Sequence, residues 1–117
     1  MSEERADRQI VVSESAEFLP YDLEGPLQPE IVWRPISFDR ERGEGSYLMR
    51  LQPGARTIPH EHLGFEDFLI LEGELTDSDG RVLRKGDFVS YRPGSRHNSW
   101  TDAGCLIAVF EWRPGPK

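Results

Sequence analysis

The chain has 117 residues, which is room for one domain with a single modest core. Its net charge is −7, and residues 1–30 alone hold eight acids against two bases. With no basic stripe anywhere, nucleic acid and anionic membrane surfaces are excluded as partners, because both demand dense positive charge.

In chain order, residues 1–30 are polar, acidic and proline-dotted (Pro20, Pro26, Pro29). They read as a partly ordered, solvated arm with short apolar pieces at Ile10-Val11-Val12 and Phe18-Leu19. Met1-Ser2-Glu3-Glu4-Arg5 lacks the basic start and apolar core of a signal peptide. No apolar run approaches the length of a membrane-spanning helix. A cytoplasmic location is expected.

From Ile31 onward, short apolar or alternating runs recur, each closed by a turn signal. They cover 31–38, 46–51, 56–62, 66–71, 74–77, 81–83, 87–91, 98–101 and 105–112. The breaks fall at Gly43, Gly45, Pro53-Gly54, Gly64, Gly73, Asp79-Gly80, Gly86, Pro93-Gly94 and Gly104. Asp79-Gly80 reads as a two-residue hairpin turn of the type whose central residues both take positive φ. About nine short strands at this spacing predict an all-β barrel or sandwich over 31–112, with 113–117 as a tail. The single cysteine, Cys105, lies in the apolar run 105–110. It reads as a buried, inert thiol.

The chain has three histidines, and two of them form His60-Glu61-His62. Residues two apart on a strand face the same side, so both imidazoles can aim at one point. Gly64 lets the chain turn, Glu66 returns a carboxylate from the next run, and His97 follows the turn at Arg92-Pro93-Gly94-Ser95. Imidazoles with one carboxylate suit Fe, Zn, Mn or Ni, and a metal offsets the cost of burying Glu66 as an anion. One divalent ion per chain on His60, His62, Glu66 and His97 is the expectation. Neither a nucleophilic triad nor a glycine-rich phosphate loop is present.

The glycines around these ligands carry a family resemblance. Gly54, five residues, His60, one residue, His62, three residues, Glu66, six residues, Gly73 resembles the complete first motif of the cupins. Gly86 with Gly94-Ser95-Arg96-His97 resembles the second. Arg92 stands where that motif usually has proline, and Thr101 where an asparagine is common. The stretch from His60 to Asp67, with Leu71-Glu72-Gly73-Glu74-Leu75 and Asp77-Ser78-Asp79-Gly80, is similar to the cupin domain of ChrR-type anti-sigma factors. It is also similar to acetylacetone-cleaving dioxygenases. The resemblance implies a single-domain double-stranded β-helix (jelly-roll) barrel, usually dimeric, with one divalent metal. It does not extend to anti-sigma activity, which belongs to a separate cysteine-containing helical zinc domain.

Strand alternation places Tyr47, Met49, Phe68 and Ile70 on the inward faces, where they line an apolar pocket over the metal or form plain core. Arg56 shares a face with His60 and reads as a rim residue or a carboxylate anchor. Two functions fit. One is an Fe(II)-type dioxygenase acting on a small bidentate oxygen-containing organic molecule. The other is a zinc-binding sensor or small-ligand module with four protein ligands and no open position. A homodimer is expected in which the 8–38 region packs on the neighbouring subunit.

Overall fold

The computed structural model describes residues 5–115. Glu3 and Glu4 of the acidic arm and residues 116–117 of the tail lie outside them. Ten strands and no helix are found among the described residues: β1 (Leu19–Pro20), β2 (Ile31–Pro35), β3 (Gly45–Leu51), β4 (His60–Glu61), β5 (Phe65–Asp77), β6 (Val82–Arg84), β7 (Phe88–Tyr91), β8 (Arg96–His97), β9 (Ser99–Trp100) and β10 (Cys105–Trp112). Among the described residues, no helix is long and apolar enough to cross a membrane.

The all-β expectation holds. Antiparallel pairing runs β1-β2-β3-β10-β5, with β7 on the first half of β5 and with β6 and β9 on its second half. A separate ribbon pairs β4 with β8 and sets His60 opposite His97. Alternation decides what is inside. Ile31, Trp33, Tyr47, Met49, Leu51, Phe68, Ile70, Ile107 and Val109 turn inward into one core, while Arg34, Leu48, Ala108 and Leu69 form a row on the outer face.

The two runs 66–71 and 74–77 are one thirteen-residue strand, because Gly73 bends β5 rather than ending it. Its φ is +74°, and a Cβ there would run into the Gly104 carbonyl oxygen. Only glycine allows β5 to pass that close while it changes partners from β10 and β7 to β6 and β9. Gly64 serves differently: a Cβ would sit 2.6 Å from the Trp112 carbonyl oxygen, so its smallness brings the loop before β5 against the end of β10.

The hairpin after β5 corrects the sequence reading. Asp79 does not have positive φ and Gly80 does, at +90°. Gly80 N–H donates to the Asp77 carbonyl (2.8 Å), and Asp77 N–H to that of Arg81 (2.9 Å). The connection is a three-residue loop ending in a left-handed glycine. Residues 57–59 likewise form no strand, and only Arg56 makes an isolated bridge, with Trp100.

Ahead of β2, the chain docks on the barrel. Leu19 and Pro20 pair with Trp33 and Val32. The Tyr21 ring meets Trp33 edge-on at 5.6 Å, and Trp33 also meets Phe38 and Tyr47 edge-on. Asp22 pairs with Arg40 at 2.7 Å. These contacts fasten residues 19–22 to the barrel, and Tyr21, Glu24, Pro26 and Gln28 border the cavity inside it.

Candidate metal centre

The β4–β8 ribbon supplies His60 and His97, the residue after β4 supplies His62, and the start of β5 supplies Glu66. One ligand atom from each of the four lies within 4.8 Å of all the others, and three of the residues are buried. His62 Nε2 stands 3.1 Å, and His97 Nε2 3.3 Å, from Glu66 Oε1; His60 Nε2 stands 3.0 Å from His62 Nε2.

The outer nitrogens fix which way each ring presents its lone pair. His60 Nδ1 faces the Ile58 carbonyl (3.0 Å) and Glu24 Oε2 (3.1 Å), both acceptors. His97 Nδ1 faces Asp77 Oδ1 at 3.1 Å, and Asp77 also accepts the Tyr91 hydroxyl, whose ring stacks on His97 at 3.9 Å. Ser95 Oγ donates its one proton to the Arg92 carbonyl (2.6 Å), so at 2.8 Å it accepts from His62 Nδ1–H. Each neutral ring therefore carries its proton on Nδ1 and turns the Nε2 lone pair inward. Three lone pairs and a carboxylate oxygen crowded together repel one another unless a cation sits among them. The donor set fits a divalent metal.

The electrostatics agree. Burial alone would lower the His60 imidazole, but Glu66, the Ile58 carbonyl and Glu24 lift it to about 9. Burial alone would raise Glu66, yet the three histidines gathered around it hold it well below the ordinary carboxylate range. Both shifts mark a site where positive charge among these groups is stabilised.

A small cavity, about 50 Å³, adjoins the cluster inside the barrel. Ile31, Met49, Leu51, Phe68, Leu75, Ile107 and Val109 give it apolar walls. Tyr21, Glu24, Gln28, Tyr47, Thr57 and Ser99 give it polar edges, and no lysine or arginine lines it. From outside, a wider groove of about 270 Å³ reaches His60 and His62 past Leu63 and Phe65.

The structure brings the four ligand candidates together and puts Tyr47, Met49 and Phe68 on the cavity wall. Ile70 is packed in the core instead, away from the lining. Arg56 lies outside, exposed, its guanidinium 4.8 Å above the Trp100 ring. Thr101 fastens the turn before β10, donating to the Glu74 carbonyl (2.6 Å) and accepting from Gly104 N–H (2.9 Å). Sequence reasoning missed Tyr21, Glu24 and Gln28, and also Asp77, Ser95 and Tyr91 behind the rings. The available signal was the Tyr21–Leu23 alternation, which marks two inward residues just ahead of Glu24.

Residues 10–114 match the ChrR cupin-like domain. No curated protein matches the chain. Among similar solved structures is an RmlC-like cupin protein of Ralstonia eutropha, 15% identical, with a TM-score of 0.73 over 90% of this chain and 69% of that one. An acetylacetone dioxygenase of Acinetobacter johnsonii is 13% identical, with a TM-score of 0.71 over 95% and 78%. The polyketide cyclase RemF of Streptomyces resistomycificus is 20% identical, with a TM-score of 0.69 over 92% and 82%.

Proposed function

The chain belongs to the ChrR cupin-like domain family, and from that premise we propose that it is a metal-dependent cupin of the dioxygenase type, acting on a small organic molecule with two oxygen donors. The observation that carries this reading is the convergence of three inward-facing Nε2 atoms and Glu66 Oε1 beside a cavity with apolar walls. A divalent metal held by His60, His62, Glu66 and His97 would supply a Lewis acid and, as iron, a redox partner for O2.

The chain's own residues do the rest. Met49, Phe68, Ile107 and Val109 exclude water and seat the apolar parts of the substrate. No lysine or arginine lines the cavity, so away from the metal nothing in it would pair with a phosphate or free carboxylate. A neutral β-dicarbonyl or hydroxyketone needs no such partner. Burial holds the Tyr21 and Tyr47 hydroxyls far above their ordinary values, so both stay neutral at working pH. Tyr47 donates to Glu111 Oε2 at 3.0 Å. Glu24, Ser95 and Asp77 keep the outer ring protons in place. The likeness to the Acinetobacter johnsonii enzyme in fold supports the reading by analogy.

The test is oxygen uptake by anaerobically Fe(II)-reconstituted protein against a panel of β-dicarbonyls and hydroxyketones, with Glu66→Ala and His97→Ala as controls. Uptake above both controls is the expected result. Its absence across the panel, together with a four-coordinate zinc in protein from its own host, replaces this reading with that of a zinc-binding sensor or ligand-binding module.

A further inference from the structure

Among the described residues, four that carry a hydroxyl border the cavity beside the ligand cluster: Tyr21, Tyr47, Thr57 and Ser99. Three of these hydroxyls have a place in the chain's own hydrogen bonding. Tyr47 donates to Glu111 Oε2 at 3.0 Å. Thr57 donates to the Ser99 carbonyl at 3.2 Å and accepts from Ser99 N–H at 2.8 Å. Ser99 Oγ stands 3.5 Å from His97 Nδ1, the ring nitrogen that faces away from the cluster. The Tyr21 hydroxyl has only the Tyr47 hydroxyl as a neighbour of this kind among the described residues. Tyr47 commits its one proton to Glu111, so Tyr21 keeps its own to give.

Tyr21 is also held in one place. Leu19 and Pro20 pair with β2 just ahead of it. Its N–H donates to the Ile31 carbonyl at 3.3 Å. Its ring lies edge-on to Trp33 at 5.6 Å and tilted against Tyr47 at 6.4 Å. Burial, and after it the charges of Glu24 and Glu66, hold the hydroxyl above its ordinary range. It therefore stays a neutral phenol, a donor, and it stands in the field of the ligand cluster. A donor fixed in advance beside a place where negative charge gathers on a ligand's oxygen favours an enolate over a neutral ketone.

We propose that Tyr21 is a specificity-determining residue of this site, its hydroxyl donating a hydrogen bond to one oxygen of a β-dicarbonyl bound as the enolate. The inference rests on the reading of the site as one for a small molecule with two oxygen donors. The Tyr21 proton has two acceptors to choose between, the neutral Tyr47 oxygen and an enolate oxygen that carries negative charge. The charged acceptor takes it, because charge-assisted hydrogen bonds are roughly twice as strong as neutral ones. The enolate forms in solution by loss of a proton to water, and Tyr21 itself transfers none. The apolar walls thus select by shape, and Tyr21 selects by charge on oxygen.

Zinc-loaded full chain, in which no turnover intervenes, tests this with acetylacetone as the probe. Binding is read by the near-ultraviolet absorbance of the enolate and by calorimetry. Tyr21→Phe removes the hydroxyl and leaves the ring against Trp33. It should hold as much zinc as wild type, melt at the same temperature, and bind acetylacetone about 10-fold more weakly. Wild-type affinity in Tyr21→Phe overturns this inference and leaves the reading of the site standing. A loss that comes with less zinc or a lower melting temperature makes Tyr21 a packing residue and overturns it too. Wild-type protein that binds neither acetylacetone nor any larger β-dicarbonyl overturns both the inference and the reading beneath it.

Discussion

Glu24 sets its Oε2 3.1 Å from Nδ1 of His60, so the loop between β1 and β2 steadies a ring of the ligand cluster from outside the barrel strands. A carboxylate in that place fixes the imidazole's orientation and makes it a better donor. Glu24→Gln should keep the fold and weaken divalent-metal affinity by about 10-fold, read by competition with a chromophoric chelator. An affinity equal to wild type would leave the Ile58 carbonyl as the sole anchor of that ring.

Glu111 gives a pH dependence. Burial, with repulsion from Glu66, raises its carboxyl to about 7 in spite of the Tyr47 hydrogen bond. The folded state therefore holds a proton that the unfolded state has already released above about 4.5. Between pH 4.5 and 7 the unfolded chain binds fewer protons, and this group's contribution to stability declines as pH rises. Glu111→Gln removes the titration and still accepts from Tyr47. In metal-free protein its melting temperature relative to wild type should be higher at pH 8 than at pH 5. A difference that does not change with pH would contradict the raised carboxyl.

Cys105 is buried, and burial pushes its thiol up to about 11. On the order of one molecule in a thousand is then thiolate at pH 8. A thiol-specific disulfide reagent should titrate almost nothing in native protein at that pH and one thiol per chain in guanidinium. Fast native reaction would place the thiol at the surface.

Gly73→Ala tests the bend in β5. With φ at +74° and the Gly104 carbonyl in the way, the added methyl should cost about 2 kcal/mol or more, read as a lower urea midpoint. Gly80→Ala, where φ is also positive but nothing lies within 4 Å, should cost less. Equal losses would mean that backbone strain alone, not the close approach of the turn before β10, demands glycine at 73.

The four converging ligands were legible because strand alternation and glycine spacing are local rules: His60 and His62 lie two apart, and Gly64 bends the chain ahead of Glu66. The strand order was not legible in the same way. A glycine within a β run reads as a break, yet Gly73 is a bend, because β10 ends its pairing with β5 there while β6 and β9 begin theirs. Alternation showed that Phe68 and Ile70 face inward, but not that two residues further along β5 leaves the cavity for the packed core. Glu24 and Tyr21 were hidden for a different reason. They sit in a proline-dotted acidic stretch where the Tyr21–Leu23 alternation marks an inward side but not its partner, since the stretch is placed by Tyr21 docking on Trp33.

Metal stoichiometry tests the central claim most directly. Metal analysis of purified wild type beside His62→Ala and His97→Ala should give one divalent ion per wild-type chain and a large loss in each variant. Full occupancy in both variants would contradict the assignment of His60, His62, Glu66 and His97 as the metal's ligands.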